Sequence, residues 1–501
     1  MDMYRWVPLL AVLWGCSPSA PETPSSAEDA TRSVDEEWFV ISLEGTTAGS
    51  VHLTTTELEG GGYAVDLVQE LRIQRVNTPL DIRVSLRMEE DANGQFTGYS
   101  SEQGLAANTI RTRGEVLDGS LVLHERGPDG KERSSSIPAL PGAVGFHFAE
   151  KKLQALFAEK APASGTTLEI VSYLPELRRF GKETTTIQSR EQVVVAGRTR
   201  ELWRTVVRQE ALPGFVVKRW VDDEGRLQKY SIPLLGMEIV YERRPREEVE
   251  FMQVSSPPEV FVSTSIAVER HVVRDCEEAV YRLHFKQGET DVERETLFHF
   301  AGQEGRSTGD DEMELRVRRV KPSEPLGLPV ALPANDDGQT LRPNTYIQSD
   351  DTKIREAALA AIGSEEDAWT AARKIERWVH EKVDEKNLET AFATATEVLS
   401  TGRGDCTEHS VLFTAMARAV GIPARVVSGL LYSDGAFVGH MWSEVYIGEW
   451  IPLDATIGRG TVGADHIALS SSSLDGAAMG DMFIRLVRVL GNLGIEVLSS
   501  R

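Results

Sequence analysis

Cysteine is scarce in this chain: three residues in 501, Cys16, Cys276 and Cys406, each alone in its region. That count and spacing give no disulfide-scaffold pattern, and free or modified thiols are the expectation. Positive charge is short as well, with 54 Lys and Arg against 77 Asp and Glu and a formal net charge of −23. Such a balance argues against binding a nucleic-acid backbone, which needs clustered Lys and Arg. No loop carries the D-x-[DN]-x-[DN]-G spacing of a calcium site. The apolar run at the start, WVPLLAVLWGC, is too short for a bilayer-spanning helix, which takes roughly 20 residues.

What is present is length, and with it the need for several cores. Single cores stop growing near roughly 250 to 300 residues, so two to four domains are expected. Residues 1–16 read as a secretory signal, and Leu13, Trp14, Gly15 and Cys16 resemble a bacterial lipobox that makes Cys16 a lipidated first residue. An ordinary cleaved signal and a cytoplasmic protein are the alternatives. Residues 17–36, rich in Ser, Pro, Ala and Glu, cannot bury enough surface to order themselves and read as a tether.

From Trp38 the pattern alternates with period two in Val, Thr, Ile and aromatics, broken by turn signals such as Asp222 to Gly225. One helix interrupts it, with Phe148, Leu153, Leu156 and Phe157 at helical spacing. Residues 37–250 are therefore expected to form one large antiparallel sheet domain around a helix. Residues 251–345 hold a second β region and a polar linker from Lys321 to Asp350. Cys276 reads as a small apolar filler. Residues 353–382 read as helix, with Trp369, Ala372, Ile375, Trp378 and Val379 on one stripe, and a second short helix follows in AFATATEVLS. A core is expected over 346–470, closed by 471–501.

The chemistry gathers between Gly402 and Thr456. Asp405 followed three residues later by Glu408 is the capping-box arrangement, so the helix starts at Cys406, with Leu412, Phe413, Met416 and Val420 as its buried stripe. Gly421 and Pro423 end it. A thiol in the first turn faces unpaired backbone N–H groups and the positive end of the macrodipole, which favours the thiolate. His440 opens the strand HMWSEVYI and Asp454 ends the next one, WIPLDAT. A two-residue loop at Gly448 and Glu449 would put these two on opposite faces. A three-residue loop or a bulge makes them diagonal neighbours on one face, within side-chain reach. An irregularity near Gly448 is thus required if they work together. His409 reads as a surface or supporting group, and Trp442, Tyr446 and Trp450 as packing. Zinc bound by Cys406, His409, His440 and Asp454 is weakly patterned, since Cys406 and His409 lack a second close pair.

The block GRGDCTEHSVLFTAMARAVGIPARVVSGL, with GHMWSEVYIGEWIPLDAT behind it, resembles the core of bacterial transglutaminase-like proteins in the papain-like cysteine-enzyme superfamily. The resemblance implies an α+β fold, a Cys-bearing helix packed on an antiparallel sheet, preceded here by one or two β domains. It implies Cys406 as nucleophile, His440 as general base and acid, and Asp454 as orienter of the imidazole, with no cofactor or metal. An amide-bond enzyme follows, working through a thioester, with hydrolysis slightly ahead of acyl transfer. Its substrate would be a peptide or protein amide, its place the periplasm or cell envelope, tethered to a membrane through Cys16. Asn387 and the neighbourhood of Phe392 are the candidates for a second oxyanion donor. The alternative is a non-catalytic peptide- or glycan-binding protein built on the same core. Calcium-dependent crosslinking has no ligand loop to support it.

A lipid on Cys16 should carry the protein into the membrane fraction, and Cys16→Ala should leave it soluble. Membrane partitioning that survives this substitution removes lipidation at Cys16.

Overall fold

The computed structural model describes residues 32–501 apart from 76–77, 106–107, 159–161, 213–214, 235, 261–264, 287–297, 335 and 386–391. Cys16, the signal and most of the tether lie outside the described residues, as does Asn387. The chain divides into two units, 1–260 and 261–501.

The first unit is one antiparallel sheet of fourteen strands, β1 (Arg32–Leu43) to β14 (Met237–Arg243). Strands pair with their sequence neighbours outward from β1 to the edge strand β8 (Glu132–Pro138). The chain then crosses to the opposite edge at β9 (Thr167–Leu174) and returns inward until β14 meets β1. The crossing segment holds α1 (Phe146–Ala158), which buries Phe146, Ala149, Leu153 and Phe157 against the sheet, and the short α2 (Arg246–Val249) follows β14. The expected architecture of one sheet around one helix is thus present. β1 opens at Arg32, inside the stretch expected as a tether, because Phe39, Ile41 and Leu43 anchor a strand long enough to pair with Thr46–Glu57 along its whole length. The Glu90 carboxylate accepts from the Phe148 N–H at 3.1 Å in the first turn of α1, and burial pushes its pKa up to about 7.

The second unit carries two sheets. In one, β15 (Ile266–Ala267), β20 (Ala436–Tyr446), β19 (Ala424–Ser433) and β22 (His466–Ser472) lie in that order, and β21 (Trp450–Leu453) pairs with β20. The other runs β17 (Gln303–Gly309), β18 (Glu312–Arg318), β16 (Glu278–Phe285), β23 (Leu493–Ser500). Residues 471–501, expected to close the core, divide their role. α7 (Gly476–Val489) packs along β22, whereas β23 pairs with β16 and so extends the other sheet.

The single helix expected over 353–382 is two, α3 (Thr352–Ile362) and α4 (Ala368–Lys382). Gly363, at φ +64°, ends the first, and the Asp367 carboxylate caps the second by accepting from the Thr370 N–H. The stretch expected as a linker is laid against the core instead. Val330, Tyr346 and Ile347 are buried, and the Ala424 N–H donates to the Thr340 carbonyl as β19 begins.

At the centre lies α6 (Cys406–Ala419), preceded by α5 (Ala395–Thr401). It packs on β19 and β20 on one side and on α3, α4 and α5 on the others, so every residue from Thr407 to Arg418 is buried. The expected stripe is therefore a whole circumference, the signature of a helix with neighbours all round. Arg418 survives there because its guanidinium donates to the carbonyls of Ala424, Arg342 and Ser473.

Gly429, in the middle of β19, faces His440 across the ladder. A Cβ there would meet the Ile467 carbonyl oxygen at 2.1 Å and the Trp442 ring at 2.6 Å. Gly429→Ala should cost about 1–3 kcal/mol of stability, read as a lower urea midpoint at unchanged slope.

Candidate active site

The site begins with the start of α6. Asp405 accepts from the Thr407 N–H at 2.8 Å, and Glu408 reaches back to accept from the Asp405 N–H at 2.9 Å, completing the capping box expected from the sequence. Glu408 is fully buried, and its other oxygen accepts from the Ala393 N–H at 3.0 Å, so one carboxyl ties the helix start to the segment after Phe392. Burial, and then the Asp405 carboxylate, push its pKa well up. His409 lies buried at 1% exposure, off the surface, and its Nδ1–H donates to the Asp405 carbonyl at 2.6 Å. Burial lowers its pKa, so it serves this bond as a neutral ring.

The second component is the hairpin of β20 and β21. Tyr446 pairs with Trp450, which leaves a three-residue loop, 447–449, with Gly448 at φ +90°. This is the irregularity that places His440 and Asp454 diagonally on one face. His440 Nε2–H donates to Asp454 Oδ2 at 2.8 Å, and Cys406 lies close enough to act on the charge of the same ring. Cys406, His440 and Asp454 therefore adjoin in that order.

Electrostatics follow from burial. Desolvation opposes charge on His440, but the Asp454 carboxylate and Cys406 outweigh it and raise its pKa well above the ordinary value. Desolvation would likewise raise Asp454, yet the facing His440 and His466 rings hold it well below the usual carboxylate range. Two backbone donors, Thr456 N–H at 2.8 Å and Ile457 N–H at 3.4 Å, fix its other oxygen.

Two contributors were not anticipated. His466 opens β22 and lies buried with its Nε2 3.4 Å from Asp454 Oδ2. The signal available was an Asp-His pair at the start of an alternating run, whereas His440, expected to open its strand, lies inside β20, which begins at Ala436. Glu376 of α4 is buried, accepts from the Gly460 N–H at 2.8 Å and is ion-paired with Arg373. It lies on the Ala372, Ile375, Val379 stripe, where a carboxyl breaks the apolar pattern. Trp442 is buried as expected, its ring 6.2 Å from His440 and edge-on to His466 at 5.2 Å.

Among the described residues, His440, Asp454 and His466 bring three ligand atoms within 4.8 Å of one another. The 2.8 Å between His440 and Asp454 is hydrogen-bond spacing. Two ligands on one tetrahedral zinc stand about 3.3 Å apart, so the His440–Asp454 pair is set for a shared proton. Cys276 is distinct from Cys406: it is buried, and burial with the nearby Asp465 pushes its thiol up to about 11.

Residues 356–455 match the model of the transglutaminase-like superfamily, so the chain carries a transglutaminase-like domain there. An uncharacterized protein of Haemophilus influenzae is 27% identical over 148 residues, 24% of this chain and 40% of that protein, so the match spans less than half of the relative's length. A β-barrel-like protein of a domain of unknown function from Brucella abortus is similar at 12% identity and a TM-score of 0.32, over 42% of this chain and 94% of that one. A provisionally described cysteine protease from Cytophaga hutchinsonii is similar at 19% identity and a TM-score of 0.27, over 47% and 82%.

Burial raises the Glu376 pKa from 4.5 to about 7, so the folded state binds the proton more tightly than the unfolded chain. Its contribution is fully present below about pH 4.5 and is lost as pH rises through about 7. Glu376→Gln should flatten that loss by roughly 3 kcal/mol in urea titrations at pH 5 and 8.

Proposed function

We propose that this chain, with its transglutaminase-like domain, is an envelope cysteine enzyme acting on peptide or protein amide bonds through Cys406, His440 and Asp454. The observation that supports this most directly is the His440 ring, hydrogen-bonded to Asp454 and close enough to Cys406 for that group to raise its pKa. In this reading the Cys406 thiolate adds to the amide carbonyl, and His440 gives its proton to the departing amine as the carbon–nitrogen bond breaks. A thioester is left on Cys406. Water, deprotonated by His440, then releases the acid, or an amine takes the acyl group; we place hydrolysis ahead of transfer. The Cys406 N–H, at the first position of α6, is one of the donors that a helix start leaves without an intrahelical acceptor and suits the oxyanion. The envelope location and the anchor at Cys16 rest on the signal-like start of the sequence alone.

Labelling with iodoacetamide near pH 7 tests the reading. Cys406 should react at least about tenfold faster than Cys276, and His440→Ala should remove the difference. Equal rates at the two thiols would sink the enzymatic reading. If envelope function persists undiminished in a Cys406→Ala strain, a peptide- or glycan-binding role takes its place.

A further inference from the structure

Asp454 has a second imidazole against it, and that ring has a second carboxylate behind it. His466 Nε2 lies 3.4 Å from the Asp454 Oδ2 that accepts from His440, and its Nδ1 lies 3.0 Å from Asp465 Oδ1. Backbone amides hold both carboxylates in place: Thr456 N–H donates to Asp454 Oδ1 and Asp275 N–H to Asp465 Oδ2, each at 2.8 Å. A neutral imidazole has one N–H and one lone pair. Between two ionised carboxylates, which only accept, it would aim that lone pair at an anion in a dry site. The imidazolium donates to both and leaves nothing unpaired.

We propose that His466 is a standing imidazolium, a positioning residue that clamps Asp454 and keeps a fixed positive charge behind the Cys406–His440 pair. The proposal rests on the catalytic reading above for its consequence, though not for its geometry.

The neighbours from each packed element are consistent with this charge. Asp454 follows β21, Asp465 precedes β22, and His440 of β20 has its ring centroid 5.8 Å away. Glu376 of α4 and His409 of α6 act on Asp454 from the helical side. Cys276 and Tyr281 lie near Asp465, and Arg319 acts on Cys276. A working thiolate, half-buried, adds to the two buried anions Asp454 and Asp465; His440 alone would leave two of the three uncompensated, and His466 leaves one. Removing a positive charge raises the pKa of every group near it, so loss of His466 should move thiolate formation and His440 deprotonation upward together.

His466→Gln keeps a donor at the Nε2 position while removing the charge. The pH dependence of Cys406 alkylation by iodoacetamide should shift upward by about one unit on both limbs. A lower rate with the limbs unmoved would show a merely structural role and overturn the charge assignment. The wild-type protein, labelled with 15N-histidine, gives a readout independent of activity and of how well the variant folds. Both His466 ring nitrogens should carry protons at about pH 8, with Asp465→Asn used to identify the signal. A neutral tautomer there overturns the proposal. If wild-type Cys406 reacts no faster than an unactivated thiol, the catalytic reading fails while the His466 spectrum still decides the imidazolium.

Discussion

The Asp454 carboxylate is the constraint on which the second unit turns. It is 2% exposed, and a carboxylate taken that far out of water costs several kcal/mol unless donors surround it. Here four do: two imidazoles on one oxygen and two backbone amides on the other. Each donor depends on a different part of the fold. His440 requires the three-residue loop between β20 and β21, His466 requires β22 to pair with β19, and the amides require the turn after Leu453. Misplacing any one of them strands a charge, so the polar centre specifies the arrangement of the strands around it.

What was legible in the sequence had a local cause. The capping box at Asp405 and Glu408 acts within one turn, and its residues state it outright. The loop at Gly448 was legible as a condition, because two strands of known length and a period of two leave only two arrangements. His466 was not, because its role comes from strand order: β22 lies beside β19, and nothing in the local pattern of Asp465–Ser472 says which strand it will join. β23 escaped for the same reason, crossing to a sheet whose other members lie about two hundred residues earlier. The split between α3 and α4 was carried by Gly363, whose positive φ ends the first helix before the apolar stripe of the second begins. The segment from Lys321 to Asp350 has a linker's composition, yet a few buried apolar residues pin it to the core.

In the first unit, alternation was enough to give the sheet, since each strand pairs with its neighbour in sequence and every turn is local. Only one pairing departs from that rule. Phe39 of β1 meets Arg243 of β14, about two hundred residues apart, and this pairing joins the two halves of the sheet.

That seam has a temporal meaning. β1 is made before the other strands of its sheet and sits in the middle of it, so its outer edge stays open while the next twelve strands are synthesised. Strands β1 to β8 can assemble as they emerge, each closing a short loop. The other half must form outward in and arrive last, with β14 ending the wait. An unpaired central strand is a template for other chains, and the exposure lasts for the time taken to make β2 to β14.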